Sequence, residues 1–269
     1  METAVAFREL VRITSFLATL PAWLSGLLLI VGLPMLVAGL QALIRRHFPV
    51  LGERRHNDVA GFLLAVIGVI YAVSAGFILV DLHENRVEAK NAARSEAFSL
   101  MAIAQTSQVM GKDAQQRIVE HVLAYEKAVV ESWPPGKGSP MAPLHALDRL
   151  LTEISRLQPT NATQAAFVAE ATRELMEVSV AHQELDIGGR EGYLDTSLWV
   201  AMLISSSATL AFCLLFGLEN ARLHYLMVAG VTTVIAVNLF LMVQLNHPFK
   251  GDLAVQPNSH QYVVRELER

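Results

Sequence analysis

Residues of a type that could do chemistry are few in this chain, and they are scattered. His83 and Glu84 are adjacent, with Glu88 about one helical turn beyond. On a helix these three could form part of a metal site. A solvated face just outside a membrane segment accounts for the same residues more simply and is the favoured reading. His247, followed by Pro248, could be a ligand or a proton-titrating group; the commoner use of such a residue is to end a helix, where a cation suits the dipole. Ser205, Ser206, Ser207, Asn238 and Gln244 are polar residues inside apolar stretches, and bonding between helices explains them better than a water path. The one cysteine, Cys213, allows no intrachain disulfide and no multi-cysteine metal centre. No G-x-S-x-G, Walker loop or H-E-x-x-H is present. The sequence therefore points away from an enzyme, and toward no metal and no other cofactor.

The elements that must position these residues are membrane helices. Of the 269 residues, 53% are hydrophobic and only 17% charged, and the mean hydropathy is +0.39. Soluble domains carry roughly a quarter charged residues. A net charge of −4 speaks against a nucleic-acid partner, which a basic face would serve. Four runs lack any charge: Ile13 to Ile44, Val59 to Val80, Thr196 to Leu218 and Leu223 to Asn246. Each reaches the roughly 20 residues that span a bilayer core, and helix is the conformation that satisfies its backbone there. The first run is too long for a signal peptide and shows no clear cleavage site. Pro21 and Pro34 predict that its helix is kinked or starts near Pro21.

The expected fold is all-α, with four transmembrane helices in two hairpins and a helical soluble insert between the second and third. The boundaries are residues 1–80 for the N-terminal hairpin, 81–195 for the insert, 196–247 for the C-terminal hairpin and 248–269 for a polar tail. The insert holds 11 of the 21 basic and 17 of the 25 acidic residues. Asp81 to Met110 lacks Pro and Gly and could carry the second membrane helix out into water. Ile118, Val122, Tyr125 and Val129 recur at helical spacing, and Trp133-Pro134-Pro135-Gly136 ends that helix. Pro143 suits the first turn of another, reaching about Leu157. A fourth is expected from near Thr160 to Ile187, stopping before Gly188-Gly189.

The second span has the most internal order. Gly61, Ala65, Gly68, Ala72 and Gly76 form a stripe of small residues that would let another helix approach; Gly61, Gly68, Ala72 and Gly76 are its helix-packing candidates. A neighbouring face carries Val69, Val73 and Phe77, each one turn from the last. Asn57 is a natural N-cap, and Asp58 suits the positive end of the dipole. Such a helix could pack as bundle core. Several copies around an axis could instead form a narrow apolar constriction.

Asn57-Asp58-Val59-Ala60-Gly61, then Gly68-Val69-Ile70-Tyr71-Ala72-Val73 and Gly76-Phe77, resemble the opening of the bestrophin-like domain family of bacterial membrane proteins. Glu96-Ala97, the stretch Tyr125 to Trp133-Pro134, Glu219-Asn220 and Leu245-Asn246-His247-Pro248-Phe249-Lys250-Gly251 resemble its later markers. Asn246 stands where the family usually has an acid. The resemblance runs from about Asn57 to Val255 and implies distant kinship with bestrophins, pentameric anion channels whose second membrane helix lines a narrow neck. Carried over, it makes Val69, Val73 and Phe77 pore-lining. Val69 and Val73 replace bulkier groups, so a constriction would be looser, and no acidic cluster resembles the bestrophin calcium clasp.

The expectation is a homo-oligomeric, pentameric channel of the cell (inner) membrane, with the lipid bilayer, further copies of itself and small anions as partners. Arg54, Arg55, His56, Asn57 and Asp58 would lie at its mouth, where basic charge and the helix N-terminus attract anions. A topology-setting role explains the arginines as well. The alternative is a membrane-anchored helical sensor or scaffold without a pore. Topology is left open by the charges: Arg45, Arg46, Arg54 and Arg55 would put the first hairpin's loop in the cytoplasm. The resemblance implies the opposite, a cytoplasmic insert, and the reading leans to it.

Overall fold

A computed structural model describes residues 12–47, 57–135, 141–215 and 220–269. It is all-helical, with no strand among the described residues. The helices are α1 (residues 12–19), α2 (Ala22–Ile30), α3 (Gly32–His47), α4 (Asn57–Thr106), α5 (Lys112–Ser132), α6 (Met141–Ser155), α7 (Ala162–Glu191), α8 (Thr196–Leu215), α9 (Ala221–Asn246) and α10 (Asn258–Leu267). They fall into two compact units. The first comprises the described parts of Met1–Asn85 and Tyr193–Leu253, the second those of Arg86–Gly192 and Ala254–Arg269.

Among the described residues, four helical stretches are long and apolar enough to cross a membrane: Ala22–His47, Gly61–Met110, Thr196–Leu214 and Ala221–Asn246. All belong to the first unit except the distal part of α4. Pro21 precedes α2 with extended backbone, so the long first run begins its span there. Pro34 produces the second irregularity one turn earlier in the chain. It has no N–H for the carbonyl of Ile30, and its ring crowds that carbonyl, so α2 ends at Ile30 and α3 begins at Gly32.

Large side chains such as Trp23, Met35, Phe62 and Leu226 are exposed on these helices, as suits surfaces solvated by lipid. Inside the unit, Tyr71, Ala75, Ile78 and Leu82 of α4 pack with Leu194, Trp199, Met202, Ile235, Met242 and Val243. A smaller cluster joins Val37, Cys213 and Val228. Arg45, at the end of α3, donates from Nη2 to Nδ1 of His224 at 2.9 Å. Arginine cannot accept, so the imidazole proton is on Nε2, which donates to the carbonyl of Cys213 at 3.1 Å. Arg45 thus ties α3 to α9, in addition to any part in setting topology.

The second unit is a helical bundle. Ile118, Val122, Tyr125 and Val129 face inward as their spacing predicts, and pack with Leu100, Ile103, Leu150, Ile154, Phe167, Leu175 and Val178. Each large apolar side chain so buried contributes about 1.5–3 kcal/mol. Asn161 caps α7 by accepting the N–H of Gln164 at 2.9 Å, and Gln164 Oε1 reaches back to the N–H of Thr160 at 2.8 Å. The second bond differs from a capping box in going to the residue before the cap rather than to the cap's own N–H.

Two expectations for this unit change. Gly188-Gly189 does not end α7, which continues to Glu191 and leaves the helical path at Gly192. Gly189 lies within α7, and a Cβ there would collide with the backbone carbonyl of Pro135, so its smallness serves close approach rather than termination. The C-terminal segment, expected as a polar tail, carries α10, whose Val263 is fully buried. Ala254–Arg269 accordingly belongs with the second unit.

Candidate functional site

Three places bear on the site: the membrane part of α4, the polar clamp at the end of α9 and a buried polar centre in the second unit.

On α4, Tyr71, Ala75, Ile78 and Leu82 are buried against the chain's own helices. At about 100° per residue, Val69, Val73 and Phe77 lie on the opposite side. They are 63%, 52% and 74% exposed, an uncovered apolar ridge within a span. The small-residue stripe lies between these two faces. An added Cβ at Gly68 or Gly76 would meet nothing within 4 Å beyond the helix's own backbone, and Ala72 is exposed, so no other described helix approaches there. Of the expected mouth residues, Arg54, Arg55 and His56 lie outside the described residues. Asn57 and Asp58 open α4, but only their backbone is described.

The closing marker of the sequence forms a clamp at the end of α9. Asn246 Oδ1 accepts the backbone N–H groups of Tyr193 and Leu194. Lys250 Nζ donates to Ser15 Oγ at 2.9 Å. Asp252 Oδ2 accepts the N–H of Ala22 at 2.8 Å, placing a carboxylate at the start of α2. Gly251 makes this geometry possible: its φ is +73°, and a Cβ would sit 2.5 Å from the carbonyl oxygen of Ala18. His247 ends α9 as expected, but not as a cation. Burial, helped by nearby Lys250, lowers its pKa to about 4, so the ring is neutral at physiological pH.

In the second unit, the hydroxyl of fully buried Tyr125 donates to Glu96 Oε1, and His182 Nδ1 lies 3.2 Å from both oxygens. One residue along α5, Glu126 Oε2 lies 2.7 Å from His260 Nδ1 of α10, with both side chains buried. The Trp133 ring, half-buried rather than fully, packs tilted against the His260 ring with centroids 5.9 Å apart. Its indole N–H donates to the carbonyl of Val255 at 3.0 Å. Burial and then the charge of Glu96 raise the Tyr125 hydroxyl well above its ordinary range, so it remains a donor.

Sequence reasoning marked Glu96, Tyr125 and Trp133, but missed His182, Glu126 and His260. Lone polar residues at inward helix positions were the available signal. The earlier candidates His83, Glu84 and Glu88 are exposed on α4, and no group of three metal-ligating side chains occurs among the described residues.

Comparison with curated proteins finds no match. Solved structures do match. A bacterial bestrophin homologue from Klebsiella pneumoniae carrying a tyrosine-to-alanine substitution is similar with a TM-score of 0.69 at 15% identity, over 90% of this chain and 97% of that one. A tryptophan-to-alanine variant of that homologue gives 0.68 at 17% identity, over 91% and 96%. A further structure of it, phased with zinc, gives 0.67 at 14% identity, over 88% and 96%. At these identities the likeness concerns the fold. The sequence model of the Bestrophin-like domain matches residues 31–260, most of the chain, and the protein is a member of that family.

Proposed function

We propose that the protein is an ion channel formed by several copies of the chain, a pentamer by resemblance to bestrophins, conducting small anions, with α4 lining the pore. The observation that carries this reading is the ridge of Val69, Val73 and Phe77, exposed within a membrane span on the side of α4 away from its own core. Copies arranged about an axis would bring the ridge inward. Gly68, Ala72 and Gly76, uncovered on the adjoining face, would let neighbouring α4 helices approach closely. A narrow apolar ring excludes water and presents an ion with a desolvation barrier. Arg54 and Arg55 at the mouth, beside the α4 N-terminus, would favour anions. The reading places the channel in the cell (inner) membrane, with the insert in the cytoplasm.

The test is halide flux in liposomes at matched protein amounts, with the oligomeric state measured in detergent. Phe77→Ala is expected to widen the ring and raise flux. Phe77→Glu is expected to admit water but disfavour anions. A protein that is a monomer or dimer, with no flux from either the parent or Phe77→Ala, would overturn the channel and leave a membrane-anchored sensor or scaffold.

A further inference from the structure

The second unit carries a titratable cluster that the pore does not use. His260 is the third residue of α10, is 1% exposed, and makes its protein hydrogen bond to Glu126 of α5. We propose that the His260–Glu126 pair is a proton-operated latch for the C-terminal helix: a protonated imidazole holds α10 in the bundle, and loss of that proton releases it.

The argument begins with what else holds α10. Val263 is buried, Leu267 packs at the edge of the core, and the Tyr262 ring meets Phe98 edge-on with centroids 6.3 Å apart. Lys127 and Glu268 form an ion pair at 2.6 Å, but both are about half exposed, so water screens it. A helix of ten residues is not stable alone in water. Its order therefore depends on docking, and among these contacts the His260–Glu126 pair is the buried one that can titrate. Removing the charge from one member leaves the other buried and uncompensated.

The surroundings fix the sign. From α5 the imidazole faces Glu126, and the Trp133 ring that follows α5 packs against it. From α4 comes the field of Glu96, itself bonded to Tyr125 and to His182 of α7. Arg94 of α4 lies over Phe98, the ring that meets Tyr262, and no basic side chain is among the groups that shift His260. Burial alone would lower the imidazole. The bond to Glu126 and the charges of Glu96 and Glu126 outweigh it and raise the group above its ordinary 6.5. Burial also raises Glu126. Both shifts mean that the docked state holds protons more tightly than the released one. The pair's contribution to docking is therefore fully present below about 6.5 and is lost as pH climbs through the raised value.

The experiment is hydrogen exchange by mass spectrometry on the full chain in detergent from about pH 6 to 9, a range bracketing histidine titration. Peptides covering Asn258–Leu267 are read after correction for the intrinsic exchange rate, against α7 peptides as reference. Local opening of α10 should rise with pH, by about tenfold for each unit by which docking raises the imidazole. His260→Gln keeps a hydrogen-bond donor without a titrating ring and should flatten the rise. Glu268→Gln should loosen α10 by the same factor at every pH. Should His260→Gln fail to fold, Glu126→Gln is read in its place: without the carboxylate, burial of the imidazole dominates, and opening should no longer rise with pH but stay level or fall. A flat parent profile, or a rise through the histidine range that is undiminished in His260→Gln or in its substitute, overturns the latch.

Discussion

Asn246 Oδ1 accepts the backbone N–H of Leu194 at 2.7 Å, and that of the preceding Tyr193 at 2.9 Å. An amide oxygen thus holds the chain just before α8. The family usually places an acid at this position, and a carboxylate oxygen can accept the same two bonds. The departure from the family pattern therefore preserves the hydrogen bonding while removing a charge. Asn246→Asp should fold with nearly unchanged thermal stability. Asn246→Leu should cost about 1–3 kcal/mol for each N–H left buried without a partner. Melting of the two variants in detergent distinguishes them, and equal loss in both would show that an oxygen able to accept the two bonds is not enough at this position.

Gly189 tests a sign rather than a size. In an exposed helix interior, glycine to alanine normally stabilises by about 0.8–1.0 kcal/mol. Here the added methyl would meet the backbone carbonyl of Pro135, which cannot rotate aside as a side chain would. Gly189→Ala should therefore destabilise the second unit, read as a lower melting temperature and faster exchange around Pro135. A stabilised variant would mean that the chain near Pro135 gives way easily.

The elements were legible in the sequence because each signal was local. Charge-free runs gave the spans, and the recurrence of Ile118, Val122, Tyr125 and Val129 gave the inward face of α5. Pro34 announced the interruption between α2 and α3, although its effect falls on the carbonyl of Ile30. What the sequence hid depends on contacts between distant segments. Gly188-Gly189 reads as a helix stop until Pro135 is seen beside it. His260 reads as part of a polar tail until Glu126, 134 residues earlier, is found against it. For the ridge, sequence and structure meet at a different point: periodicity grouped Val69, Val73 and Phe77, and the fold leaves them uncovered.

The direction of insertion is the remaining prediction, because two physical arguments oppose each other. Arg45, Arg46, Arg54 and Arg55 favour a cytoplasmic first hairpin loop. Arg45, however, bonds His224 and lies over the ring of Tyr225, so at least this arginine has a packing role besides any topological one. Basic residues also flank the spans on the other side, among them Arg86, Lys90 and Arg94. With the arginine signal weakened in this way, the insert is expected in the cytoplasm. Leu51→Cys and Asp113→Cys, each in a Cys213→Ser background, should label from opposite sides of intact cells or oriented vesicles. Labelling of Leu51→Cys by an impermeant maleimide added outside, with Asp113→Cys protected, is the expected result. The reverse pattern would restore the arginine rule, and equal labelling would mean that one of the four candidate spans does not cross.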